Sequence, residues 1–250
     1  MSAPLLEICV DCVESAVAAA AGGAARVELC AGLVDGGVTA SRGMLRQVVL
    51  RTAASPLQVM VLIRPRGGDF LYTPDEVEVM LDDIRCAKES GAHGVVVGAL
   101  RPDGAIDEAV TAELIREARP MAVTFHRAFD MTPDVGAAFQ ACVRLGVDRI
   151  LTSGLANTAA EGVAVIRELV RMAELSNAGG IVGDGARPIT ILAGAGLSEE
   201  NIAWLVAETG VHEVHGSARV PVESGMVYRW EEGTERTGER TGERTREIDR

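Results

Sequence analysis

Two short segments carry ionisable groups and thiols at every second position: Leu5-Leu6-Glu7-Ile8-Cys9-Val10 and Ala25-Arg26-Val27-Glu28-Leu29-Cys30. Alternate side chains of a strand face opposite sides. Leu6, Ile8 and Val10 therefore share one face of the first segment, with Glu7 and Cys9 on the other. In the second, Val27 and Leu29 oppose Arg26, Glu28 and Cys30. If the polar faces line the inside of a barrel, that interior holds carboxylates, a guanidinium and thiols. Buried charge is costly unless it is paired or used, so the pattern predicts a site. Thiols on neighbouring strands, which lie about 4.8 Å apart, can share a soft ion, Cu(I) before hard cations. The alternative is that Cys9 and Cys30 are small buried hydrophobes. Cys12, Cys86 and Cys142 read as structural, and Cys9-x-x-Cys12 has no second half to make a zinc site.

Other candidates sit where further strands should end. Arg64-Pro65-Arg66-Gly67-Gly68-Asp69-Phe70 offers two guanidinium forks beside a glycine turn, a composition suited to a small anion. Thr124-Phe125-His126 places His126 on an inner face, as an acid, base or ligand. Thr152-Ser153-Gly154 adds hydroxyls. Ala193-Gly194-Ala195-Gly196-Leu197-Ser198 leads toward a helix, and His215-Gly216-Ser217-Ala218-Arg219 follows the last strand. Glycine-rich loops in these two places form a recurrent phosphate site in α/β barrels. The predicted anion site is thus Arg64, Arg66, Gly194, Gly196, Ser217 and Ala218. Parity adds His215 to the interior beside Arg26. The only lysine, Lys88, lies in a helical stretch away from any strand end, which disfavours Schiff-base chemistry.

The elements that must hold these residues alternate along the chain. Apolar strand patterns occur near 5–10, 25–30, 58–63, 93–98, 121–125, 148–152, 189–193 and 212–216. Helical patterns occur near 13–22, 43–53, 74–90, 107–118, 134–145, 158–175 and 198–208. Thr73-Pro74-Asp75-Glu76 caps and opens the third helix. Eight strands alternating with helices predict a parallel sheet closed into a (β/α)8 TIM barrel over residues 1–230, without a regular eighth helix. An open doubly wound sheet is the other option, but its dinucleotide fingerprint is missing. Residues 231–250, charged and containing Thr-Gly-Glu-Arg twice, read as a disordered tail.

The bulk composition narrows the partners. The 250 residues are 48% hydrophobic, with a formal charge of −12 and a pI near 4.9. Such a surface offers little to nucleic acid or an anionic membrane. No apolar run approaches the roughly 20 residues that span a bilayer, and the first residues lack the basic start of a signal peptide. Five scattered cysteines do not read as a secreted disulfide framework. The expected location is the cytoplasm.

The blocks Leu6-Glu7-Ile8-Cys9-Val10-Asp11, Arg26-Val27-Glu28-Leu29-Cys30, Ile63 to Phe70, Val123 to Asp130, Leu151-Thr152-Ser153-Gly154 and Glu213-Val214-His215 together resemble the CutC copper-homeostasis family, in order, over about residues 5–230. The resemblance implies a cytoplasmic barrel protein that self-associates as a homodimer or higher oligomer and handles copper, with Cys9 and Cys30 at the positions proposed to bind Cu(I). Two departures are Gly36-Gly37-Val38-Thr39-Ala40-Ser41, where the family usually has Thr-Pro-Ser, and the repeat tail in place of a terminal helix. A second function stays open on the residues alone. It is an enzyme doing acid–base chemistry with Glu7, Glu28 and His126 on a small phosphorylated or carboxylated carbonyl metabolite.

Overall fold

The computed structural model describes residues 3–179, 187–222, 225–227 and 246–249. Eight parallel strands close into a barrel: β1 (Leu5–Val10), β2 (Arg26–Leu29), β3 (Gln58–Leu62), β4 (Gly94–Val97), β5 (Ala122–Phe125), β6 (Arg149–Thr152), β7 (Thr190–Gly194) and β8 (Glu213–Gly216). Seven helices alternate with them: α1 (Val13–Ala21), α2 (Arg42–Thr52), α3 (Pro74–Glu89), α4 (Glu108–Ala118), α5 (Val135–Leu145), α6 (Val163–Ala178) and α7 (Ile202–Thr209). β8 pairs with β1, so no edge remains in the barrel sheet.

Strand parity sorts the core into two layers. Ile8, Val10, Val27, Leu29, Val59, Val61, Val95, Val123, Phe125, Ile150 and Val214 face outward and pack with the helices in one large apolar cluster. The matching helix faces recur at helical spacing, as in α3, where Val77, Met80, Leu81, Ile84 and Ala87 are buried. This helix starts on a capping box: Thr73 accepts from the Glu76 N–H and Glu76 accepts from the Thr73 N–H, with Pro74 in the first turn. Inside the barrel, Met60, Leu62 and Val96 form a separate small cluster with Cys9 and Cys30.

The structure departs from the sequence reading in three local ways. α6 begins at Val163 and α7 at Ile202, each later than expected, because their loops are held by side chains: Glu161 bonds the Thr158 N–H and Asn201 bonds the Ser198 N–H. Short 3₁₀ turns at Leu33–Asp35 and Arg127–Met131 interrupt loops over β2 and β5. Among the described residues no helix follows β8. Strand β9 (Arg219–Val222) comes next and pairs antiparallel with β10 (Arg246–Asp249), which lies against α1. The expectation of disorder over 231–250 thus meets a strand at Arg246–Asp249; its remaining residues lie outside those described. Among the described residues no helix is long and apolar enough to cross a membrane.

Candidate metal and proton site in the barrel

All eight interior candidates are buried or nearly so: Glu7, Cys9, Arg26, Glu28, Cys30, Arg64, His126 and His215. They fall into two groups separated along the wall by Met60, Leu62 and Val96.

The first group is carried by β8, β1 and β2. Barrel closure sets Glu7 opposite both Arg26 and His215. Arg26 Nε donates to Glu7 Oε2 at 2.5 Å, and Arg26 Nη2 donates to Glu213 Oε2 at 2.5 Å. Arg149 Nε also donates to Glu213 Oε2, at 3.0 Å, and the Thr190 hydroxyl donates to Glu213 Oε1. His215 Nδ1 lies 2.8 Å from Glu7 Oε1, and its Nε2 lies 3.5 Å from Glu28 Oε2. Burial opposes ionisation of Glu7, yet His215 and Arg26 outweigh it and hold the carboxyl at about 2. Burial likewise opposes charge on His215, but its hydrogen bonds to Cys9 and Glu7 and the charges of Glu28 and Glu7 raise it well above its ordinary value. Glu28 has less compensation, and burial pushes it up to about 7.

The two thiols sit at the same end of this network. Cys9 Sγ is 3.4 Å from Cys30 Sγ, and Cys30 Sγ also reaches the Val10 carbonyl at 3.6 Å. The sequence pattern gives the two cysteines matching positions on neighbouring strands, but the structure does not. The register pairs Cys9 with Glu28, and Cys30 lies one step further along the barrel wall. The side chains close that stagger. The Cys30 contact and burial raise the Cys9 thiol well above its ordinary value. Cys9, Glu28 and His215 each place one ligand atom within 4.8 Å of the others. Cys12 is elsewhere, where its sulfur caps α1 by accepting from the Ser15 N–H. Cys86 lies on α3 and Cys142 on α5, and the buried Cys142 has its thiol pushed above the usual range by burial.

The second group lies on β5 and the loop after β3. His126 is buried, with Nδ1 accepting from the Ala128 N–H. Arg64 is buried too, and its Nη atoms donate to the carbonyls of Asp35, Gly37 and Gly68, fastening the loops after β2 and β3. Burial and the Arg64 charge keep His126 neutral, lowering it to about 3. The Glu7, Glu28 and His126 trio is therefore split: the two glutamates meet at His215, while His126 stands across the apolar wedge.

The arginines and glycines of the predicted anion site have protein partners or packing neighbours of their own. Arg66 turns to α3 and the Asp69 turn, bonding Glu76 Oε1 at 2.5 Å and Asp69 Oδ1 at 3.1 Å, and its guanidinium covers the Tyr72 ring. Gly194 is small because a Cβ there would strike Leu151 and His215. Gly196 takes a positive φ against Thr158, and its carbonyl accepts from Asn201. Ser217 and Ala218 are exposed and lead into β9 rather than into a helix N-terminus.

Strand parity turns Glu213 inward, but several of the site's partners carry no signal of their own in the sequence. Asp130, in the His126 block, accepts from the Thr152 hydroxyl, the Ser153 and Leu155 N–H groups and Arg127, tying the turn after β5 to the end of β6. Arg149, Thr190 and Glu213 complete the charge network at the N-terminal half of the barrel.

Comparison with known proteins agrees with this architecture. The CutC family description matches residues 4–220. A mouse protein named copper homeostasis protein cutC homolog is 48% identical over 225 residues, spanning 90% of this chain and 77% of that protein. A Bacteroides fragilis family protein CutC is 46% identical over 228 residues, 90% of this chain and 84% of its own length. A Streptococcus agalactiae structure solved under the name copper homeostasis protein CutC superposes with a TM-score of 0.77 at 31% identity, covering 86% of this chain and 98% of that one. A match over most of the chain, with the barrel and its interior blocks in order, places the chain in the CutC family.

Proposed function

We propose that the protein binds Cu(I) as cargo between the Cys9 and Cys30 thiolates, with His215 Nε2 as the third donor. The observation that carries this reading is the 3.4 Å approach of two buried sulfurs from neighbouring strands. Metal–thiolate bonds of about 2.3 Å let one ion bridge sulfurs up to about 4.6 Å apart. A thiolate pair with an imidazole suits a soft monovalent ion, whereas Glu28 is a hard donor that such an ion does not need. Glu7 stands behind His215 on Nδ1, the arrangement that commonly fixes a ligating ring. Because Cys9 and His215 are both held protonated without metal, uptake must release a proton from each, and affinity rises with pH. The names of the mouse and Streptococcus relatives support the copper assignment, and family membership supports self-association in the cytoplasm.

An anaerobic Cu(I) titration against a chromogenic competitor tests the site. The wild type should bind one ion per chain. Cys9→Ser and Cys30→Ser should each weaken binding by about a hundredfold or more. Retention of wild-type affinity in both variants would sink the proposal. A second reading, acid–base chemistry on a small carbonyl compound, draws on Glu28, whose value of about 7 suits proton transfer near neutral pH. It would be favoured by copper binding that ignores both substitutions.

A further inference from the structure

The interior group on the β3–β5 side takes no part in the copper site. It holds three buried polar atoms with no hydrogen-bond partner among the described residues: Arg64 Nε, Thr124 Oγ1 and His126 Nε2. All three side chains are more than nine-tenths buried. Unmade bonds at such depth cost free energy, and native interiors rarely leave several together.

The three atoms share a neighbourhood. Thr124 lies on the inner face of β5, and His126 follows two residues on, just past the strand end, where it caps the turn Arg127–Met131. The Phe70 ring lies 5.1 Å from the Arg64 guanidinium carbon and 4.8 Å from the His126 ring centroid, so one aromatic side chain touches both donors. The Arg64 charge acts on His126 through space. Tyr72 stands beside the same guanidinium, and its buried hydroxyl is a further polar atom without a hydrogen-bond partner among the described residues. The His126 ring lies against Gly98, where a Cβ would overlap it. Since Nδ1 accepts from Ala128, the proton of the neutral ring belongs on Nε2. Each unpartnered nitrogen is therefore an N–H donor, and the threonine hydroxyl can be a third.

We propose that Arg64 Nε–H and His126 Nε2–H, with the Thr124 hydroxyl below them, form a subsite for a small carboxylate at the C-terminal mouth of the barrel. Strand ends of a parallel barrel are where ligands are met. The donors supply one positive charge, from Arg64 alone, because His126 is neutral. A carboxylate matches that charge and offers two oxygens to separate donors. A phosphate dianion would bring an unbalanced charge into a buried place. Arg64 is already fixed by three carbonyls, so its Nε–H is held in place before any ligand arrives.

The subsite shares no donor with the copper site, so each can fail alone. The test uses the full chain with ¹⁵N-labelled histidine, titrated with pyruvate, acetate and inorganic phosphate. Pyruvate or acetate should give a saturable shift of the His126 Nε2 resonance, leave His215 in place, and raise the melting temperature. His126→Phe should weaken carboxylate binding by about tenfold and leave Cu(I) affinity unchanged. Because that variant also loses the Ala128 contact, the wild-type resonance decides the matter. No shift at His126 with either carboxylate at tens of millimolar would overturn the subsite. A response to phosphate without one to the carboxylates would overturn its ligand class.

Discussion

His126 and His215 occupy the same interior, on opposite sides of an apolar wedge, and their charge states are opposed. His215 meets Glu7 through Nδ1 and Glu28 near Nε2, and its hydrogen bond with Cys9 together with the two carboxylates holds it protonated against the cost of burial. His126 meets a backbone N–H and an arginine, and burial leaves it neutral down to about pH 3. Depth in the barrel does not decide the outcome, since both residues are deeply placed. The partners do. In the metal-free protein, a histidine between carboxylates becomes a cation that balances buried anions. A histidine accepting from an amide becomes a neutral donor on its far nitrogen. One barrel thus presents a thiol-and-carboxylate side suited to a cation and a donor-rich side suited to an anion.

The sharpest break in this comparison is acid titration of the metal-free protein. His126 falls from an ordinary 6.5 to about 3, so its contribution to stability is lost as pH drops through that window, about 5 kcal/mol in all. Glu28 runs the other way: raised from 4.5 to about 7, it makes the fold more stable as pH drops from 7 to 4.5, by about 3 kcal/mol. Glu7, lowered from 4.5 to about 2, withdraws a further 3 kcal/mol or so below pH 4.5. The His126 and Glu28 contributions should therefore cancel between about pH 6.5 and 4.5 and give a plateau in the urea midpoint, followed by steep loss. In His126→Gln the plateau should become a gain of stability on acidification. An unchanged profile in that variant would mean His126 is not held neutral.

Removing the anchor of the other side should cost nearly as much. Glu7→Gln leaves Arg26 and His215 without their shared carboxylate in a closed interior. Loss of one partner from a buried ion pair costs about 3–5 kcal/mol. Urea unfolding at pH 7 should show that loss, and the His215 ring should titrate at lower pH by NMR. The His126 ring should not change. A loss below about 1 kcal/mol would show that Glu213 suffices for Arg26.

Much of this arrangement is legible in the chain, for a simple reason. Strand side chains alternate, so Glu7, Cys9, Arg26, Glu28, Cys30, His126 and His215 could be turned inward by parity alone. The eight strands were visible because parallel strands buried on both faces are short apolar runs between helical patterns. Depth along the barrel was not visible. Strands stagger around a closed barrel, and so Cys9 pairs with Glu28 while Cys30 sits a step beyond. Nor could parity find the contact between Arg26 and Glu213, which are 187 positions apart and meet only through closure of β1 on β8. Gly194 and Gly196 read as phosphate-loop residues because glycine serves both tight packing and anion binding, and the close neighbours Leu151, His215 and Thr158 are visible only in the fold.

The smallest effect comes from the glycine that seats the neutral histidine. Gly98 follows β4, and a side chain there would enter the space of the His126 ring and crowd Ala128. Gly98→Ala must therefore move the ring, since the neighbouring backbone of β5 is locked into the barrel ladder. Overpacking of this kind costs about 1–3 kcal/mol. The shift should break the bond from the Ala128 N–H to Nδ1, and with it the reason the proton sits on Nε2. ¹⁵N spectra of labelled histidine should then show His126 in mixed tautomers, with His215 unchanged because its carboxylates lie across the wedge. If His126 kept a single Nε2–H tautomer in this variant, the Ala128 contact would not be what sets it, and the contrast between the two histidines would rest on burial and the Arg64 charge.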